Sequence, residues 1–251
     1  MKTELLDLRL MDCMEMMKGF PDNHFDLAVT SPPYNLNLRV NSKKDGYCSR
    51  QIVKELSTKY ANFSDNLPMK EYGDFLIKSV REMNRVAKIS FLNIQLVTGN
   101  KPAIFRMMGE MCDQIKEVLI WDKGHAEPAI GEGVLNSCYE YLIVFGGDPI
   151  TRSFPSANFG RGSQDNILRI PKGRSKDSNH GASFPKALPD TVMRLFAKKG
   201  DSIIDPFLGT GTTAIAAHYA GINLTACELD PDYFKAACER IDRETAQLSF
   251  L

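Results

Sequence analysis

The sequence predicts an α/β fold, a mixed and mostly parallel sheet with helices on both faces, and three observations predict it. Ser202-Ile203-Ile204-Asp205-Pro206-Phe207-Leu208-Gly209-Thr210-Gly211-Thr212-Thr213 reads as strand, glycine loop and helix start, and Asn223 to Cys227 reads as the next strand, tipped by Glu228. Phe25 to Val29 is a short apolar run that Thr30-Ser31-Pro32-Pro33-Tyr34-Asn35 ends abruptly. Two prolines cannot continue a sheet ladder because neither has an N–H to donate, so this is a stiff loop at the carboxyl end of a buried strand. The chain ends at residue 251, 23 residues past Glu228, too few to finish a doubly wound sheet. The remaining strands therefore come from upstream, and the sheet is entered part-way through its usual order.

The elements follow in order. Thr3 to Met11 is an apolar strand, and Cys13 to Gly19 a short helix for which Asp12 is a natural N-cap. Met69 to Val86 carries Tyr72, Phe75, Leu76, Val80 and Met83 at helical spacing, a stripe that belongs to the core. Ile89 to Val97, Glu117 to Trp121 and Tyr139 to Phe145 read as strands, and Lys101 to Cys112 as a helix. Asp190 to Ala197 is helical, as is Thr212 to Ala220, which stops at Gly221. Pro231 to Thr245 is a closing helix capped by Asp230.

Two stretches lack periodicity. Leu36 to Leu67 holds Arg39, Lys43, Lys44, Arg50, Lys54 and Lys59 against Asp45, Glu55 and Asp65. Gly146 to Asn179 holds Arg152, Arg161, Arg169, Lys172, Arg174 and Lys176 against Asp148, Asp165 and Asp177. A long loop beside a proline motif is usually functional, although a solvated basic surface would look the same. Formal net charge is +0, so any nucleic-acid surface has to be local. The six cysteines show no C-x-x-C spacing and read as reduced thiols. His125 and Glu127 have no second His or Cys at metal-ligand spacing, so no metal is expected. No run is long enough to span a membrane and no leader is evident, which makes a cytoplasmic chain the expectation.

The glycine loop has the residues of a nucleotide site. Gly209, Gly211 and Ala214 satisfy G-x-G-x-x-A, a weak signal for a dinucleotide, and Glu228 stands where ribose hydroxyls are bound. Asp205 before the glycines would repel a pyrophosphate and welcome an ammonium group. The proline loop offers the Ser31 hydroxyl, the Ser31 and Pro32 carbonyls and the Tyr34 ring, which suit a flat, amine-bearing base. A plain proline turn would use the same residues.

Ser31-Pro32-Pro33-Tyr34 followed by Asp205-Pro206-Phe207-Leu208-Gly209-Thr210-Gly211-Thr212, in this order, resembles the amino-group DNA methyltransferases of the β arrangement. That family has a catalytic (D/N/S)-P-P-(Y/F) motif ahead of a D-P-F-x-G-x-G-T motif for S-adenosylmethionine, with target recognition between them. The resemblance covers nearly the whole chain and implies one Rossmann-like S-adenosylmethionine-dependent methyltransferase domain over 1–251. Within it, 36–66 would be a mobile basic loop and 147–179 the target-recognition insert. The resemblance assigns Ser31, Pro32, Pro33 and Tyr34 to catalysis, and Asp12, Asp205, Phe207, Gly209, Gly211, Thr212 and Glu228 to the cofactor. Trp121-Asp122-Lys123-Gly124 also ends its strand much as the family does, and His180 to Pro185 resembles the family's H-x-A-x-F-P segment. Arg39, Lys43, Lys44, Arg152, Arg161, Arg169 and Arg174 are the expected DNA contacts, with double-stranded DNA as partner and room for a homodimer. Serine at the first motif position is typical of N4-cytosine members, and N6-adenine stays open as the alternative. A DNA-binding protein without catalysis and an NAD-dependent oxidoreductase are the readings from other classes.

Overall fold

The strands β1 (Leu6–Leu10), β2 (Phe25–Thr30), β3 (Ala87–Ile94), β4 (Ile115–Asp122), β5 (Tyr139–Gly146), β6 (Ile167–Arg169), β7 (Ser202–Asp205) and β8 (Asn223–Glu228) form one sheet. The structure is a computed structural model and describes residues 1–35, 67–126, 132–147, 151–154, 156–172 and 184–246. Strand order is β1-β8-β7-β2-β3-β5-β4-β6, and β5 alone of these runs antiparallel to its neighbours. The carboxyl ends of the other strands therefore share one edge with the first residues of β5.

Both faces of the sheet are covered, as near-continuous apolar strands require. On one face α1 (Cys13–Lys18), α2 (Met69–Val86) and α3 (Lys101–Glu110) bury Met17, Tyr72, Leu76, Met83 and Ile104 against Phe25, Leu92, Ile143 and Phe145. On the other, α4 (Ala187–Phe196), α5 (Thr212–Ala220) and α6 (Pro231–Thr245) pack Val192, Phe196, Ile215 and Ile241 against Leu27, Phe91, Val144 and Ile203. Neighbouring strand residues such as Ile143 and Val144 go to opposite faces, the two-residue period of a pleated strand.

Helices α2, α5 and α6 have the bounds that the pattern predicts, because each has a clear stop or start. Asp230 Oδ1 caps α6 by accepting from the Asp232 and Tyr233 amides, and Gly221 ends α5 in the left-handed region at φ 65°. Strand β1 is shorter than expected, since Thr3 Oγ1 turns back to accept from the Leu6 amide. Strand β3 starts at Ala87, directly after α2, and ends at Ile94. Strand β6 is additional to the expected set: it lies inside the segment without periodicity and pairs with the end of β4. Three residues carry too little pattern to be read as a strand.

Candidate active site

Strand order builds the site. β1, β8, β7 and β2 are consecutive neighbours, so Asp12, Glu228, Asp205 and Ser31 follow one another along the carboxyl edge. Three of the four are carboxylates in adjacent positions.

Glu228 is turned into the glycine loop. Its Oε2 accepts from the Gly209 amide at 2.9 Å, and its Oε1 from the Leu229 and Asp230 amides at 3.0 Å each. Burial raises its carboxyl above the ordinary value and these three amides oppose the shift. Asp205 is 1% exposed, and burial raises its carboxyl likewise. Its Oδ1 accepts from the Thr30 hydroxyl at 2.5 Å and the Phe207 amide at 3.0 Å. Asp12 caps α1, its Oδ1 accepting from the Met14 and Glu15 amides. Phe207 packs edge-on against Phe75 at 5.9 Å between ring centroids. The loop turns with Gly209 at φ 53° and Gly211 at φ 81°, conformations that suit glycine. Arg240 of α6 holds the loop from behind, its Nη1 donating to the Thr210 carbonyl and to the Thr210 and Thr212 hydroxyls at 3.1 Å each, while Glu244 pairs with its Nε at 2.8 Å.

The proline loop is fixed at both ends. Thr30 is tied to Asp205, across the β7–β2 boundary. Asn35, at φ 53° and buried, exchanges hydrogen bonds with the Leu67 backbone and donates to the Gly99 carbonyl. The Tyr72 hydroxyl donates to the Pro33 carbonyl at 2.7 Å and Asn100 to the Tyr34 carbonyl at 2.8 Å. Among the described residues none donates to the Pro32 carbonyl.

Beneath the loop lies a polar network that sequence reasoning missed. The Ser31 hydroxyl has Tyr34 Oη at 3.0 Å and the Asn93 carbonyl at 3.1 Å as acceptors. Tyr34 Oη donates to Glu140 Oε2 at 2.8 Å. Asn93 Nδ2 donates to both Tyr34 Oη and Glu140 Oε2 at 2.8 Å. Lys123 Nζ lies 3.4 Å from Glu140 Oε1, with both side chains at 7% exposure or less. Burial, and then the Glu140 carboxylate, hold the Tyr34 phenol well above its ordinary range, so it stays protonated. The Trp121-Asp122-Lys123-Gly124 stretch was a signal for one end of the network; nothing in the sequence marks Glu140 as buried.

The structure does not bring every expected residue here. Arg152 stands at the opposite edge, beside the start of β4, with its guanidinium on Glu117 Oε2 at 2.7 and 2.9 Å. Its expected role in DNA contact is corrected accordingly. The ring stack of Phe154 and Phe159 on Phe196, and Asn158 donating to the Arg194 and Ala197 carbonyls, pin this part of 147–179 to α4. Arg169 ends β6 opposite Asp122, at the catalytic edge, and Arg161 lies on an exposed turn. Arg39, Lys43, Lys44 and Arg174, with the expected loop 36–66, lie outside the described residues. A cavity of about 330 Å³ opens at the opposite edge among Asp26, Lys88, Lys116 and Asp201, away from the proline loop.

A family model described as DNA methylase, covering the N6 and N4 methyltransferases, matches residues 25–239. The chain belongs to this DNA methylase family. Over 260 aligned residues it is 31% identical to the type II beta methyltransferase M.BslI of Bacillus sp. (strain NEB-606), covering 91% of the chain and 27% of that protein. It is 37% identical over 76 residues to the type II methyltransferase M.BglI of Bacillus subtilis, covering 30% of the chain and 22% of the relative. The chain thus spans only about a quarter of the length of these curated relatives. Among solved structures, the cytosine-N4-specific PvuII DNA methyltransferase superposes with a TM-score of 0.71 at 19% identity, covering 98% of this chain and 93% of that one. A DNA modification methylase of Thermus thermophilus, solved with S-adenosyl-L-methionine, gives 0.60 at 24% identity over 96% and 94% of the two chains. These likenesses establish the methyltransferase fold of the DNA methylase chain described here.

Proposed function

We propose that this DNA methylase chain transfers the methyl group of S-adenosylmethionine to an exocyclic amine of a base in double-stranded DNA, as the modification arm of a restriction-modification pair. The observation that carries the reading is the adjacency of the proline loop to three carboxylates and a glycine turn on neighbouring strands. The donor set fits the cofactor: a sulfonium, an ammonium group, ribose hydroxyls and an adenine amine are cations or donors, and Asp205, Glu228 and Asp12 offer acceptors. Glu228 would take the ribose, Asp12 the adenine amine and Asp205 the ammonium group, with Phe207, Gly209, Gly211 and Thr212 shaping the loop. When bound, S-adenosylmethionine supplies an electrophilic methyl group.

The amine lone pair is delocalised into the base, which makes it a poor nucleophile. Ser31 and the Pro32 carbonyl accept its two protons and turn the lone pair toward the methyl group, while the Tyr34 ring bears on the base. The base must leave the duplex to be reached. The gain is positioning and stabilisation of developing positive charge. N4 of cytosine is the favoured target, on the serine of the motif and on the likeness to a cytosine-N4-specific enzyme; N6 of adenine is the alternative. Pro33 stiffens the loop. Arg161, Arg169, Arg174 and the basic residues of 36–66 are proposed to meet the DNA in a cytoplasmic protein, and a homodimer would be seen by sedimentation. Among the described residues no helix is long and apolar enough to cross a membrane. Tritium transfer from labelled S-adenosylmethionine to DNA, followed by mass spectrometry of the nucleosides, tests activity and target together. Absence of label in DNA would refute the reading; N6-methyladenosine alone would move the target to adenine.

A further inference from the structure

An amine that gains a methyl group must also lose a proton, and the hydrogen bonds beneath the loop run in one direction. Ser31 donates to Tyr34, Tyr34 donates to Glu140, and Glu140 is an acceptor-only carboxylate. We propose that Ser31, Tyr34 and Glu140 form a proton relay that carries the amine proton away from the base as the methyl group arrives. The proposal rests on the methyl-transfer reading above.

The step balances as follows. The amine nitrogen forms the N–C bond with its lone pair, and the C–S bond breaks with its electrons left on sulfur. The N–H proton passes to Ser31 Oγ, the Ser31 proton to Tyr34 Oη and the Tyr34 proton to Glu140 Oε2, leaving a neutral carboxylic acid. After the product leaves, the same chain returns one proton to water entering at Ser31. An amine whose lone pair has left ring conjugation is a strong acid once alkylated, so a carboxylate accepts its proton readily.

Four observations support this direction. The two donor–acceptor steps are 3.0 and 2.8 Å, within range for proton transfer between oxygens. The Tyr34 phenol is held protonated by its surroundings, which suits a relay and excludes a resident base. Asn93 cannot be turned round, because its amide oxygen would then face both Tyr34 Oη and the Glu140 carboxylate. As placed, Nδ2 orients the two acceptors and its own Oδ1 is left without a partner among the described residues. Lys123 supplies the counter-charge that a carboxylate at 6% exposure requires. The Ser31 hydroxyl has the Asn93 carbonyl as a second acceptor, and its rotation between the two acceptors resets the chain. Glu140 and Tyr34 act through Ser31, so Glu140 is a positioning and accepting residue without contact to the base.

The test is single-turnover methyl transfer with the intact protein, duplex DNA and labelled S-adenosylmethionine, measured against pH. Tyr34→Phe keeps the ring and the Glu140–Lys123 pair but cuts the relay, and should slow transfer about 10²-fold or more, the low end of acid–base contributions. Its rate should climb with pH where the wild type is flat, and its cofactor affinity should be unchanged. Glu140→Ala should lose a similar factor and be restored in part by added formate, whereas Tyr34→Phe should gain nothing from formate. Full activity in Tyr34→Phe, or a slowed variant with the wild-type pH profile, would overturn the relay while leaving methyl transfer intact. A wild type that labels no DNA would instead refute methyl transfer, and the relay with it.

Discussion

Asp205 is a costly residue in the free protein. Its carboxyl is raised by burial, so between its ordinary value of 3.8 and its raised value the folded state binds more protons than the unfolded state. Stability contributed at this position therefore falls as pH rises through that window, and Glu228 acts the same way above 4.5. A bound cation reverses the sign locally. Asp205→Asn keeps an oxygen for Thr30 and Phe207, so the free protein should hold or gain up to ~1 kcal/mol at neutral pH while losing cofactor affinity, the usual trade of stability against function. Thermal melts with and without S-adenosylmethionine would check both halves. Glu228→Ala leaves three amides without their carboxylate and should weaken cofactor binding by roughly 1–3 kcal/mol in calorimetry, the scale of hydrogen bonds to charged groups.

At the scale of elements, the glycine loop is the most constrained turn. A Cβ on Gly211 would sit 2.8 Å from Ile241 Cδ1 with φ at 81°, so Gly211→Ala should cost about 1–3 kcal/mol and lower the melting temperature. Gly109, inside α3 with nothing within 4 Å of its Cβ position, is the contrast, and Gly109→Ala should gain up to ~1 kcal/mol. Arg240→Ala should loosen the loop from α6 and raise the cofactor dissociation constant, with the fold retained. The legibility of these elements in sequence followed their signals. α5 has glycines at both ends, α6 has Asp230-Pro231, and the proline loop punctuates β2, so all three were readable. Glu140 was not, because a carboxylate between Tyr139 and Tyr141 reads as the exposed side of an alternating strand. Only the place of β5 between β3 and β4 buries it. The Arg240 clamp was hidden for a similar reason: thirty residues and a strand separate it from Thr210. Arg152 looked like a DNA contact because charge in a segment says nothing of the edge to which the segment folds.

For the whole molecule, zero formal charge means that DNA affinity must come from local basic segments and fall steeply with added salt. Charge reversal at Arg161 and Arg169 together should lower duplex affinity and flatten its salt dependence, with cofactor binding unchanged. Arg152→Glu, at the opposite edge, should leave DNA affinity where it was. Fluorescence anisotropy across a salt series would separate the two, and equal losses in both would move the DNA surface.

The position of Glu140 also has a consequence for the time course of folding. Its partners come from β2, β3 and β4, up to 106 residues away in sequence. Asn93 faces Leu142 across the β3–β5 pair, and a one-residue slip would send Glu140 to the other face of the sheet. Such distant contacts close late, after their loop entropy has been overcome. On refolding from denaturant, helical circular dichroism should return first and methyl transfer later, with the lag set by the search for register.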